Sequence, residues 1–314
     1  MGQGNFYHRP VLLEEVIRGL DLKKNGVYFD GTAGGGGHSF AILDREPTAT
    51  LIATDKDAEA IEAAGGRLKP FEGRFRLVKS DFKGYEKVLD GLGVDKLDGF
   101  LLDLGISSHQ IDDKDRGFSY LKGDAALDMR MDRDSSLSAR EVVNGYSEEK
   151  LYRILKEYGE ERFSSAIVRN LVRARAQKPV ETCGELKEIV EESIPVKFRT
   201  PACARQTFQA IRIEVNGELS GLSECVTGLA RRLKKGGRGC VITFHSLEDR
   251  IVKQAFAALA QGCTCPKSFP VCVCGKKKEV EPVTKKPITA SEEELKENSR
   301  SKSAKLRIIE KISE

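Results

Sequence analysis

Along its first hundred residues the chain alternates short apolar runs with amphipathic ones. Val11, Leu12, Val16 and Leu20 recur at helical spacing and predict a helix over residues 10–20. The runs "GVYFD" (26–30), "ATLIATD" (49–55), "FRLVKSDF" (75–82) and "LDGFLLDLG" (97–105) predict strands, and "SFAILDR" and "DAEAIEAAGGRL" between them predict helices. Apolar strands alternating with helices imply a parallel sheet covered on both faces. From about 112 to 211 the pattern becomes charged and helix-like, most clearly in "EEKLYRILKEYGEERFSSAIVRNLVRARAQK", which Gly159 interrupts. After 212 the first pattern returns. "LSECVTGLARRLKKGG" predicts a helix, "GCVITFHS" (239–246) a fifth strand, "LEDRIVKQAFAAL" a helix and "AKLRIIEKI" (304–312) a last strand. The expectation is one α/β domain in two pieces, 1–111 and 212–314, with a helical insertion at 112–211. The Lys/Glu/Ser-rich residues 276–303 read as a solvated connection.

Composition narrows this picture. The chain has 314 residues, 39% hydrophobic and 32% charged, enough to bury a core and remain in solution. No apolar run approaches the roughly 18–20 residues that span a bilayer. The N-terminus lacks a signal-peptide layout, and Phe6 stands where a myristoylation signal has Ser or Thr. Eight cysteines, four of them between 263 and 274, do not make a secreted disulfide framework and predict a reducing, cytoplasmic setting. A net charge of +4 permits a nucleic-acid partner without demanding one.

The stretch "YFDGTAGGGGHS" (28–39) places four consecutive glycines after the first strand. Such a run suits close approach of the main chain to a ligand. A P-loop would need Lys and Ser/Thr where Gly37 and His38 stand. A dinucleotide fingerprint, or a tight turn with no ligand, can be threaded through the same glycines. The acids separate these readings. Asp30, Asp55, Asp81 and Asp103 stand at four successive predicted strand ends, the edge where α/β folds bind ligands. Four anions would repel a pyrophosphate, whereas they suit S-adenosylmethionine, which carries a sulfonium and an ammonium and no phosphate. Each acid has the alternative of capping a following helix.

Beyond the glycine loop, the stretches "HRPVLLEEV", "DGTAGGGGHS", "LLDLGISSHQIDD", "RGFSY", "LDMRMD", "YGEERF", "TFQAIRIEVNGEL", "FHSLEDRIVK" and "SRSKSAKLRIIEK" run nearly end to end through the chain. Together they resemble the RsmH (MraW) family of bacterial 16S rRNA cytosine-N4 methyltransferases. Two departures stand out: His109 where Pro is expected, and a longer "PACARQTFQ". The resemblance implies a Rossmann-like class I S-adenosylmethionine-dependent methyltransferase fold, with a mostly parallel seven-stranded sheet and an inserted helical domain. It implies S-adenosyl-L-methionine as cofactor, with contacts at Gly36, Gly37, His38, Asp55, Phe82, Asp103 and Gln110. Gly35 of the same run is counted with them. The glycines would admit the amino-acid portion, Asp55 the ribose hydroxyls and Phe82 the adenine. Asp103 would lie near the methionine end and Gln110 would offer donor and acceptor. His38 reads equally as a polar cap. The implied partner is 16S rRNA or the small ribosomal subunit, with no membrane. The expected catalytic acceptors for the cytosine amine are the Asp103 carboxylate and the Leu104 carbonyl. A DNA amino-methyltransferase would show a D/N/S-P-P-aromatic stretch where "DLGI" stands. The further alternatives are a non-catalytic RNA-binding assembly factor and a dehydrogenase.

Three other features carry expectations. Cys263, Cys265, Cys272 and Cys274 in "CTCPKSFPVCVC" can close a zinc site, although C-x-C is tighter than the usual C-x2–4-C. Reduced thiols or a reversible disulfide are the alternatives, and no metal is assigned to catalysis. Arg162, Arg169, Arg173, Arg175 and Lys178 fall in a stretch without an acid, and the first three share a helical face suited to phosphate contact or to plain solvation. In "FHSLEDR", His245 and Ser246 either line the base pocket or, for Ser246, cap the next helix. No G-x-S-x-G elbow supports a hydrolase.

Overall fold

The computed structural model describes residues 10–121, 123–266, 269–271 and 273–314. The chain divides into two compact units, one comprising the chain up to Gly105 together with Ser220–Glu314, the other Ile106–Leu219. The junctions therefore fall at 105/106 and 219/220 rather than near 111 and 211, because a helix spanning Arg205–Asn216 runs through residue 211.

The first unit contains strands β1 (Val27–Asp30), β2 (Thr50–Asp55), β3 (Phe75–Lys79), β4 (Leu97–Asp103), β5 (Leu233–Thr243), β6 (Val280–Pro282) and β7 (Lys305–Lys311). They form one seven-stranded sheet in the order β3-β2-β1-β4-β5-β7-β6. β1 to β5 are parallel, and β7 runs antiparallel between β5 and β6. The helices of this unit are α1 (Leu13–Leu20), α2 (Gly37–Arg45), α3 (Ala58–Leu68), α4 (Tyr85–Gly91), α11 (Leu222–Arg232), α12 (Ser246–Ala260) and α13 (Glu292–Glu297).

Successive strand residues point to opposite faces, and the sheet buries both. Tyr28, Leu101, Ile242 and Ile308 join Val16, Ile42, Ala64 and Leu68 of α1, α2 and α3 on one face. Phe29, Leu102, Val241 and Ile309 join Leu89, Val226, Leu229, Val252 and Phe256 of α4, α11 and α12 on the other. This double burial is why β1 and the Phe100–Leu102 stretch of β4 read as apolar runs up to their terminal Asp.

Three expectations change here. The helix expected to run through "RRLKKGG" stops at Arg232, because residues from Leu233 pair with β4, starting at Leu97 and resuming at Gly99 opposite Arg238. β3 ends at Lys79, so Asp81 is not a strand-end acid. It caps the short turn Phe82–Gly84 by accepting the Lys83 N–H at 2.9 Å. Residues 276–303 are not merely a connection: Val280 is buried and pairs with Lys311, and Glu294 of α13 accepts the Leu12 N–H at 2.8 Å.

The second unit holds α5 (Ser108–Asp112), α6 (Ala139–Gly145), α7 (Glu148–Glu157), α8 (Ser164–Gln177), α9 (Cys183–Ser193) and α10 (Arg205–Asn216). Val142, Leu151, Ile154, Ile167, Leu171, Leu186, Phe208 and Ile211 form its core. The motifs "RGFSY", "LDMRMD" and "VNGEL" meet in this unit. The buried Arg116 donates to the carbonyls of Arg130 and Met131 at 3.0 and 2.9 Å. The Asn216 side chain accepts the Met131 N–H and donates to the Met129 carbonyl, both at 2.8 Å. Their distinctive residues thus tie an irregular loop to α10.

Candidate active site

The parallel strands β1, β2 and β4 deliver Asp30, Asp55 and Asp103 to one edge of the sheet. The glycine loop follows β1 across this edge. Gly36 is the N-cap of α2 at φ 74°, and a Cβ there would meet the Ala64 backbone at 3.2 Å, so both conformation and contact favour glycine. A Cβ on Gly35 would meet nothing within 4 Å, which leaves the main chain open to close approach. A Cβ on Gly37 would strike Pro10 at 2.4 Å.

Each acid has a distinct environment. Asp30 is buried; its carboxylate accepts from the Ser39 hydroxyl at 2.6 Å and the Thr32 N–H at 3.1 Å. Desolvation still pushes its pKa up to about 6. Asp55 accepts the Gly34 N–H on one oxygen and the Asp57 N–H on the other, both at 2.9 Å, and so hooks the glycine loop to β2. Burial raises its pKa too, partly offset by those donors.

Asp103 differs. Its backbone N–H donates to the Thr32 hydroxyl at 2.7 Å, which fixes the end of β4 against the loop. Its Oδ1 is buried with no hydrogen-bond partner among the described residues. Its Oδ2 lies 3.7 Å from His38 Nδ1, beyond hydrogen-bond distance. Desolvation foremost, then the negative charges of Asp30 and Glu248, push its pKa up to about 8. Leu104 is buried, and its N–H donates to the Ile242 carbonyl at 3.0 Å, tying the end of β4 to β5.

His38 is not a helix cap. It sits inside the first turn of α2, buried, with Nε2 3.0 Å from the Val11 carbonyl. That acceptor puts the proton on Nε2, and burial lowers the imidazole pKa to about 4, so the ring is neutral and turns its Nδ1 lone pair toward Asp103. Phe82 is half-buried beyond β3, with Lys83 Nζ 5.7 Å from its ring centroid.

The sequence "FHSLEDR" places His245, not Ser246, as the cap of α12, in a reciprocal capping box with Glu248. Glu248 is buried and accepts the N–H groups of Phe244 and His245 at 2.9 and 3.3 Å. Sequence reasoning missed Thr32, Ser39 and Glu248. The first two had a signal, since both neighbour Asp30 or the loop as hydroxyls; Glu248 had only its capping-box spacing.

Gln110 belongs to the second unit. Its side chain closes a capping box at the start of α5, accepting the Ser107 N–H at 3.0 Å. In the same unit Arg162, Arg169 and Arg173 are exposed. Arg162 precedes α8 instead of lying on it, and its guanidinium sits 4.8 Å from the Phe198 ring centroid. Arg175 is spent structurally, donating to the carbonyls of Val143 and Tyr146 at 2.7 and 2.6 Å.

A sheet in this order with a reversed β7, a glycine loop after β1 and acids ending β1, β2 and β4 defines a class I methyltransferase. The family model described as the MraW methylase family matches residues 5–312, and the chain belongs to that family. It is 51% identical over 310 residues to a protein of Lachnospira eligens named Ribosomal RNA small subunit methyltransferase H, covering 98% of each chain. Proteins of the same name from Clostridium botulinum (53% over 309 residues, 98% of this chain and 99% of that one) and Symbiobacterium thermophilum (52% over 310 residues, 98% and 97%) are similarly close. No helix among the described residues is long and apolar enough to cross a membrane.

Proposed function

We propose that the protein transfers a methyl group from S-adenosylmethionine to the exocyclic N4 of a cytidine in 16S rRNA. The name borne by relatives at about 50% identity over nearly the whole chain supports the small-subunit rRNA as substrate. The observation that carries the chemistry is Asp103, a largely buried carboxyl at the end of β4 with one oxygen lacking a partner among the described residues.

The residues fit the cofactor. The open backbone at Gly35 and the carboxyls of Asp55 and Asp103 make a closely approachable edge of oxygen acceptors, one that a cationic, phosphate-free ligand would favour in its ionised form. Gly35, Gly36, Gly37 and His38 would hold its amino-acid portion, Asp55 its ribose, Phe82 its adenine and Asp103 its methionine end. Gln110 is proposed as a further contact on the family resemblance. When bound, S-adenosylmethionine supplies an electrophilic methyl on a positively charged sulfur.

The protein's own task is to make a poor nucleophile attack. The cytosine amine lone pair is delocalised into the ring. Hydrogen bonds from its N–H groups to Asp103 Oδ1 and the Leu104 carbonyl would return electron density to nitrogen and hold it in line. Orientation of this kind can be equivalent to about 10⁵ M or more of reactant. The proton released from N4 passes to Asp103 Oδ1, whose proton affinity is already high from burial.

The direct test is mass spectrometry of rRNA nucleosides from cells with and without the protein. Loss of one N4-methylated cytidine from 16S rRNA is expected. Unchanged rRNA, or a lost methyl on another base, would overturn the reading.

The exposed arginines of the second unit extend this proposal to RNA binding. Replacing Arg162, Arg169 and Arg173 together by Gln is expected to weaken RNA binding while leaving cofactor affinity unchanged. Each lost phosphate contact should flatten the log–log salt dependence by about 0.7–0.9. An unaltered slope would mark these arginines as solvated surface.

A further inference from the structure

Between α12 and β6 the chain passes through residues 261–279 with no helix or strand among those described. A connection of that length without secondary structure is uncommon in a compact domain unless it has a function or is held by something other than a core. Its own apolar side chains do not hold it: Phe269, Val271 and Val273 are all exposed. What converges in it is sulfur.

The Sγ atoms of Cys263, Cys265 and Cys274 all lie within 4.8 Å of one another. Those of Cys263 and Cys274 are 3.7 Å apart. Zinc–sulfur bonds of about 2.3 Å arranged tetrahedrally set two sulfurs about 3.8 Å apart. Each of the three sulfurs also receives a backbone N–H. Cys265 donates to Cys263 at 3.4 Å, Val273 to Cys265 at 3.3 Å and Thr264 to Cys274 at 3.4 Å. Donors of this kind are the outer contacts that orient metal ligands. Lys276 and Lys277 follow directly and are exposed, placing positive charge beside a site whose thiolates would exceed the charge of one divalent ion.

We propose that Cys263, Cys265 and Cys274 bind a zinc ion that holds the loop 261–279 in shape. All-sulfur donors within this span select a borderline-soft ion over calcium or magnesium. Three thiolates leave one position of the tetrahedron for a further donor; Cys272, the remaining cysteine of the run, lies outside the described residues. The ion has no step in methyl transfer.

The test is metal analysis of the full chain, purified in reductant without a histidine tag. About one zinc per chain is expected, released when a mercurial blocks the thiols and read with a metal-binding dye. The double variant Cys263→Ser/Cys274→Ser should hold less than about a tenth of that while its circular dichroism stays that of the parent. Should that variant not fold, the parent protein decides: loaded with Co²⁺ in place of zinc, it should show intense thiolate-to-cobalt absorption and tetrahedral visible bands. The proposal is overturned if the reduced full chain carries no zinc as purified and takes up none when it is supplied. It is equally overturned if a folded double variant retains the metal, or if cobalt binds without thiolate absorption.

Discussion

Asp103→Asn is expected to slow single-turnover methyl transfer by at least tenfold at saturating cofactor and RNA, about 1.4 kcal/mol of barrier. Asn keeps the shape and one acceptor oxygen but loses the charge and the capacity to take a proton. If Asp103 served only to hold cofactor, saturation would restore the rate, and the acceptor role would pass to the Leu104 carbonyl. The raised pKa adds a signature that a purely structural residue would lack. In the ligand-free protein the carboxyl is protonated below about 8, because burial, Asp30 and Glu248 all oppose its charge. A cationic ligand favours the carboxylate, so cofactor binding at pH 7 should release up to one proton. Calorimetry in two buffers of different ionisation enthalpy reads that proton, and Asp103→Asn should abolish it. The stability effect has the opposite sign. The folded pKa lies above the unfolded value of about 3.9, so the folded state binds the extra proton between those limits and loses stability as pH rises through them. The ligand-free Asn variant should therefore melt higher than the parent, most clearly above pH 8, while turning over more slowly. A variant both slower and less stable would place Asp103 among the residues that merely hold the fold.

Cofactor affinity should fall by about 1.5–3 kcal/mol in Asp55→Ala, the scale for hydrogen bonds to a charged group. That corresponds to roughly 10- to 150-fold in Kd. Two losses combine. The ribose would lose its acceptor, and the Gly34 and Asp57 N–H groups would lose the oxygens that hook the glycine loop to β2. Asp55→Asn separates them: one oxygen remains, enough for one of the two N–H groups but not for both. Its Kd should fall between those of the parent and the Ala variant. Calorimetry showing parental affinity in Asp55→Ala, with a lowered melting temperature alone, would make Asp55 a loop anchor outside the cofactor site.

The elements most legible in the sequence were those whose burial is uniform. β1, β2 and β4 are apolar along nearly their whole length because helices cover both faces of the sheet, and the turn after β1 announced itself in four glycines. The helices α7 and α8 were equally plain, since their apolar positions recur at helical spacing. β5 was misjudged at its start because "LKKGG" extends an amphipathic helical pattern, and only pairing with β4 pulls Leu233 into the sheet. β6 spans three residues, too few to show any period.

The sequence by itself determined three of the four acids expected at strand ends (Asp30, Asp55 and Asp103), the glycine loop, the helical insertion and the cysteine run, because each is a property of neighbouring residues. Tertiary structure alone decided what those residues are chemically. It made Asp55 a hook for the loop and His38 a neutral ring bonded to Val11. It surrounded Asp103 with Asp30, His38 and Glu248, which lie as many as 145 positions away in the chain, and raised its pKa to about 8. The physical reason is that a carboxyl's charge depends on how much water and which other charges surround it, and both are set by residues remote in sequence that the fold brings together.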